Sequence, residues 1–121
     1  MNPCAIMQQL LLDLERELRA IGWWETTAPP QSALQSTEPF CVDTLTFTQW
    51  LQWVYLPKMR QFITLHQTLP AKSDLTTIAE EAWKGAKPTP SALFALVKQL
   101  DDVVNHHQQH RHFANLSTTR H

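Results

Sequence analysis

Apolar residues recur along this chain in steps of three and four, and nowhere in the strict alternation of a half-buried strand. Met7, Leu10, Leu11, Leu14, Leu18 and Ile21 fall on one stripe, which predicts an amphipathic helix over residues 3–21. Asn2 is placed to cap it, with Pro3 in the first helical position, where a missing N–H costs nothing. Glu15 and Arg19 can pair across one turn, and Gly22 supplies a terminator.

Thr46 followed three residues later by Gln49 is a capping-box pattern, so a second helix is expected to begin near Phe47. Phe47, Trp50, Leu51 and Val54 fall on one side of it, and Trp53, Leu56, Met59 and Ile63 mostly on the other. A helix with two apolar faces belongs in the middle of a bundle. Pro57 removes one backbone donor and crowds the carbonyl of Trp53, so a kink or break is expected there before the helix resumes to about Gln67. Ser73 or Asp74 can cap a third helix over about 75–84, carrying Leu75, Ile78, Ala79, Ala82 and Trp83 and ending at Gly85. After Lys87-Pro88-Thr89-Pro90, the stripe Leu93, Leu96, Val97, Leu100, Val103 and Val104 predicts a fourth helix over about 91–105.

Between the first two helices, from Trp23 to Leu45, no period is visible, and Pro29, Pro30 and Pro39 oppose both helix and ladder. A connection of this length needs a structural or functional reason. Residues 36–45 are expected to lie extended across the helices and bury Phe40, while residues 25–35 stay mobile. The sum is an all-α protein, a four-helix bundle with a long irregular crossover between helices 1 and 2. A single domain is expected over residues 1–105, followed by a polar, His-rich tail at 106–121 that frays.

Composition narrows the function. Ten Lys and Arg against eleven Asp and Glu leave a formal charge of −1, so no global field draws the molecule to nucleic acid or an anionic membrane. With no run of about 18 apolar residues and no leader pattern, a cytoplasmic protein is expected. Cys4 and Cys41, with no CxxC relation, are read as reduced thiols. Two glycines, at 22 and 85, exclude a Gly-rich phosphate loop, and no HExxH or nucleophile elbow is present. No catalytic residue, cofactor or metal is therefore expected. His106 and His110 stand one turn apart with His107 and His112 close by, but no acidic or cysteine ligand is placed to close a site around them.

The candidate binding residues are Trp23, Phe40, Asp43, Trp50, Gln52 and Trp53. Tryptophan and phenylalanine make good interface anchors, although at helical spacing in a small protein they more often fill a core. Asp43, in a turn before Thr44, is expected to accept hydrogen bonds from nearby backbone amides. Gln52, lodged between Leu51 and Trp53, needs a polar partner and is expected to bind the backbone of the crossover.

Ser36-Thr37-Glu38-Pro39-Phe40, Asp43-Thr44 and Trp50-Leu51-Gln52-Trp53, continuing to Pro57 and Met59, resemble the YqcC-like family of small bacterial proteins. The likeness extends to the first helix, the connection around Leu69-Pro70 and the fourth helix, and implies a helical-bundle fold. It supplies no catalytic or binding residues. Members of that family are often encoded beside a tRNA pseudouridine synthase. The expectation is a non-enzymatic module that binds a protein, with an RNA-modification enzyme in view, through a groove between the crossover and the second helix. Two alternatives stay open: an RNA-binding accessory using Lys58, Arg60, Lys84 and Lys87, and a homodimer closed over the aromatic groove.

Overall fold

The computed structural model describes residues 2–119, with side chains for residues 2–107, and holds no strand among them. Helix α1 (Pro3–Ala20) starts as its sequence demands: Asn2 Oδ1 accepts the Ala5 N–H at 3.1 Å, with Pro3 next in line. At its far end Gly22 takes φ +84°, a left-handed conformation that glycine adopts without a Cβ clash. The chain doubles back there, and the N–H groups of Trp23 and Trp24 both donate to the Leu18 carbonyl, at 2.9 and 3.2 Å.

The main helix pair is α1 with α6 (Ser91–Thr119). Met7, Leu11, Leu14 and Leu18 from one, and Leu93, Val97, Leu100 and Val104 from the other, lose all their exposure in a single core. Full burial of each such side chain contributes roughly 1.5–3 kcal/mol. Helix α6 runs past the expected end near residue 105. The apolar stripe stops at Val104, but no Gly or Pro follows Pro90 to stop the backbone. The tail expected to fray at 106–121 falls mostly outside the described side chains.

The second predicted helix is one rod in three pieces: α3 (Phe47–Trp50), a wide π-type turn (Leu51–Tyr55) and α4 (Leu56–His66). Its start is the predicted capping box, with Gln49 N–H donating to Thr46 Oγ1 at 3.1 Å and Thr46 N–H to Gln49 Oε1 at 2.9 Å. The break expected at Pro57 is replaced by the wide turn just before it, where Leu56 N–H donates five residues back to the Leu51 carbonyl. One extra residue in that turn accommodates the missing donor and the ring of Pro57 without breaking the rod.

A central position holds for only half of this rod. Leu51, Gln52, Tyr55 and Leu56 are buried, whereas Lys58, Arg60, Gln61 and Thr64 face water and Leu65 is 77% exposed. The polar residues after Pro57 leave α4 one apolar side, and that side meets α1. Arg60 crosses to α1 and donates to Glu15 at 3.0 Å, while Arg19 holds the same carboxylate at 3.3 Å. Partial burial works to raise the pKa of Glu15, and the hydrogen bonds and charges of Arg60 and Arg19 outweigh it, leaving the pKa below the ordinary value.

Helix α5 (Thr76–Ala82) is shorter than expected, and its principal cap comes from elsewhere in the chain. Asp101 of α6, only 6% exposed, accepts the Leu75 and Thr76 N–H groups at 2.8 Å each and the Ser73 and Thr76 hydroxyls at 2.5 Å each. Asp74, one of the two expected caps, makes the capping bond at the surface, accepting the Thr77 N–H at 3.3 Å and its hydroxyl at 3.0 Å. Asn105, one turn beyond Asp101, closes on the backbone of Ser73 from both sides.

The crossover is compact rather than extended. Residues expected to be mobile include a helical turn, α2 (Gln31–Leu34), and the expected extended passage holds a 3-10 turn at Pro39–Cys41. Phe40 and Cys41 take left-handed φ of 58° and 50° there, which costs non-glycine residues on the order of 1 kcal/mol each. Local bonds offset it: Thr44 Oγ1 donates to the Ala33 carbonyl at 2.7 Å, and the N–H groups of Thr44 and Leu45 both donate to the Cys41 carbonyl. An extended segment without a strand partner would leave those groups unpaired.

Candidate docking cleft

Gln52, one turn into the rod and 5% exposed, reaches across to the chain leaving α1. Its Oε1 accepts the Glu25 N–H at 2.8 Å and its Nε2 donates to the Glu25 carbonyl at 2.7 Å. This is the backbone contact expected of Gln52, made at the first residue of the segment expected to be mobile. A primary amide meets the backbone N–H and C=O of one residue with its acceptor and its donor, so a buried polar side chain is satisfied by fixing the crossover.

The Glu25 side chain is held by the same rod. Trp53 Nε1 donates to Oε1 at 3.0 Å, and Gln49 Nε2 reaches both carboxylate oxygens at 3.2–3.4 Å. Both donors are neutral, and among the described residues no basic group pairs with this carboxylate. Trp23 approaches Trp83 of α5 with ring centroids 6.2 Å apart, and Trp83 Nε1 donates to Thr48 Oγ1 at 3.0 Å. Arg19 lies over Trp24, 4.5 Å from the ring centroid. Between these groups is an open cleft of about 490 Å³, lined by Trp23, Trp24, Glu25, Gln49 and Trp83 among others.

A second cleft, about 620 Å³, lies between the end of the crossover and α5. Val42, Leu45, Phe47, Ile78 and Ala82 make it largely apolar, and Val42 is 71% exposed at its edge. Phe40 and Trp50 are both half-buried and meet edge-on at 4.8 Å, while Trp50 stacks on Phe47 at 5.9 Å. Asp43 stands apart from both groups. Its carboxylate accepts from the Ser36 hydroxyl rather than from neighbouring amides, and Ser36 Oγ in turn accepts the Glu38 N–H. The aromatic rings run in one chain from Trp23 through Trp83, Phe47 and Trp50 to Phe40, while Gln52 and Trp53 hold Glu25 at one end of it.

Glu25 was missed from sequence, although one signal pointed to it. Gln49, Gln52 and Trp53 are donors on a mostly apolar turn, and Glu25 is the only acidic residue between Glu17 and Glu38. Of the basic residues considered for RNA, Arg60 is tied to Glu15, and Lys58, Lys84 and Lys87 are exposed. His106 is exposed and His107 meets Thr68 Oγ1 at 3.2 Å, while the side chains of His110 and His112 lie outside the described residues. No described helix is long and apolar enough to cross a membrane.

The fold and sequence have relatives. A solution NMR structure of YqcC from Escherichia coli matches with a TM-score of 0.78 and 28% identity, over 88% of this chain and 92% of that one. An uncharacterised Haemophilus influenzae protein is 32% identical over 101 residues, 84% of this chain and 94% of its own length. A Pectobacterium carotovorum protein named tRNA pseudouridine synthase C is 38% identical over 84 residues, 69% of this chain. The match spans only 22% of that longer protein. The family described as DUF446, tRNA pseudouridine synthase C, matches residues 6–103. With that span and these identities, the chain belongs to this family, the YqcC-like proteins.

Proposed function

We propose that this chain is an accessory module that performs no chemistry itself and binds a protein partner, an RNA-modification enzyme of the tRNA pseudouridine synthase kind. The observation that carries the reading is the Pectobacterium relative, in which a stretch 38% identical to this chain is 22% of a protein with that enzyme's name. The Haemophilus relative, by contrast, is covered over 94% of its length by the same kind of domain. A domain joined to an enzyme in one chain and separate in another is suited to bind that enzyme when separate, because a tether adds effective concentration to contacts the surfaces already make. The cytoplasm, where tRNA is modified, is the expected place of action.

The cleft between crossover and α5 supports docking, since the core of a protein interface is apolar and rich in aromatic side chains. Half-buried Phe40 and exposed Val42 lie on the crossover, whose local hydrogen bonds hold it in one shape before any partner arrives. Pre-ordered surfaces lose less entropy on binding.

Mixing the chain with a purified tRNA pseudouridine synthase C and measuring mass by size exclusion with light scattering tests the reading. A one-to-one complex is expected, and Val42→Asp, a change at an exposed position, weakens it at least tenfold. No complex at about tenfold above a micromolar Kd refutes the proposal. A mass of two copies of this chain would assign the cleft to a homodimer instead, and tRNA retention that falls steeply with salt would favour direct RNA binding.

A further inference from the structure

Glu25 holds its carboxylate in a cleft walled by indoles, and among the described residues it makes no ion pair. Trp53 and Gln49 orient its carboxylate with neutral hydrogen bonds, which hold the group still without bringing an opposite charge to it. Gln52 fixes the backbone beneath it. Lys84, beside the lining residue Trp83, is exposed and forms no ion pair among the described residues. A carboxylate beside tryptophan favours a cation, through a charge-assisted hydrogen bond at one end and attraction to the ring at the other. Arg19, 4.5 Å from the centroid of the Trp24 ring, already shows that pairing of guanidinium and indole at the cleft's edge.

We propose that this cleft receives a basic side chain, an arginine or lysine projecting from the partner protein, with Glu25 as its counter-charge and Trp23 and Trp24 as its walls. The proposal deepens the docking reading and rests on it, adding the chemistry of the residue recognised. The guanidinium or ammonium donates to Glu25 Oε2, an oxygen that accepts from Gln49 alone and keeps a second lone pair, and its aliphatic stem lies along the indoles. An orientation fixed before binding keeps the entropic cost low.

Two measurements test it. The full chain is titrated with N-acetyl-arginine methylamide and with the neutral citrulline counterpart, following tryptophan indole N–H signals by NMR. The arginine probe is expected to move the Trp23 and Trp24 signals while citrulline at equal concentration leaves them in place. Glu25→Gln, which keeps the acceptor for Trp53 and the backbone clamp, is expected to weaken the arginine probe about tenfold with the rest of the spectrum preserved. Equal shifts from both probes, or unchanged affinity in the variant, overturn the proposal. In the second measurement the synthase is offered to wild type and Glu25→Gln. Equal binding to both overturns the inference and leaves the docking reading standing. Binding to neither, with the arginine response intact, sinks the docking reading while the cleft keeps its preference for a cation.

Discussion

Replacing Gln52 separates the clamp on the crossover from ordinary core packing. Its amide makes two bonds to the Glu25 backbone, accepting from the N–H at 2.8 Å and donating to the carbonyl at 2.7 Å, from a position 5% exposed. Each contributes about 1 kcal/mol net, so Gln52→Leu forfeits about 2 kcal/mol. The added apolar burial returns up to about 1 kcal/mol, leaving a net loss of about 1–2 kcal/mol in urea denaturation. Gln52→Glu is nearly isosteric and should be worse, at about 3 kcal/mol. It removes the donor to the Glu25 carbonyl, turns an oxygen toward that carbonyl, and buries a charge near the Glu25 carboxylate. The assay with the most local resolution is amide hydrogen exchange. With the clamp gone, the Glu25 N–H should exchange at least about tenfold faster, since tenfold corresponds to 1.4 kcal/mol. Unchanged Glu25 exchange in Gln52→Leu, or a leucine variant less stable than the glutamate one, would refute the assignment of Gln52 as the element that fixes the crossover.

Three further outcomes are expected. Asp101→Ala strands the amides and hydroxyls that this buried carboxylate serves, and should cost at least about 3 kcal/mol in chemical denaturation; a loss below 1 kcal/mol would contradict a cap supplied by α6. Tyr55 has its hydroxyl buried without a partner among the described residues, so Tyr55→Phe should be neutral or slightly stabilising at pH 7. Burial, and secondarily the charge of Asp101, push the Tyr55 phenol pKa up. The unfolded chain therefore loses this proton first, and stability should fall above about pH 10 by up to ~1.4 kcal/mol per pH unit, a fall that Tyr55→Phe lessens. A wild type and variant with identical stability curves from pH 9 to 11 would discount that burial. Arg60→Ala breaks the link from α4 to Glu15 on an exposed flank, and about 0.5 kcal/mol is expected, shrinking in high salt. The lowered Glu15 pKa means this contribution is present above the unfolded carboxylate pKa and fades as pH falls through the folded one. Acid titration of Arg60→Ala against wild type checks the sign.

Local chemistry was the legible part of the sequence. The Asn2 cap, the Thr46 and Gln49 box and the Glu15 and Arg19 pair each involve residues within four positions, and the turn at Gly22 residues within six, so spacing alone specifies them. Helical stripes were legible for the same reason. What could not be read was pairing across long separations. Asp101 caps a helix that begins 25 residues earlier, and no periodicity announces it. The donor set around Glu25 was visible as polar residues in an apolar turn, but only the fold brings the acceptor to it from 24 to 28 residues away. In the crossover, the prolines pointed away from a ladder, but Pro30 and Pro39 stand where short helical turns begin, at Gln31–Leu34 and Pro39–Cys41. The compact alternative depended on Thr44 and Asp43 finding Ala33 and Ser36, contacts without a spacing rule. At Pro57 the sequence announced a disturbance and left its form open, because a wide turn and a sharp bend both relieve the same clash.

That wide turn lets one rod keep two separate appointments. An inserted residue advances the phase of a helix by about 100°, so side chains before and after it look in different directions. Phe47 and its neighbours are thereby turned to α5, while Ile63 and the rest of α4 serve α1. Removing a single residue between Gln52 and Val54 would bring back the clash of Pro57 with the preceding turn and twist one half out of register with its neighbour. The swivel is a joint between the half of the rod that holds Glu25, through Gln49 and Gln52, and the half that lies against α1.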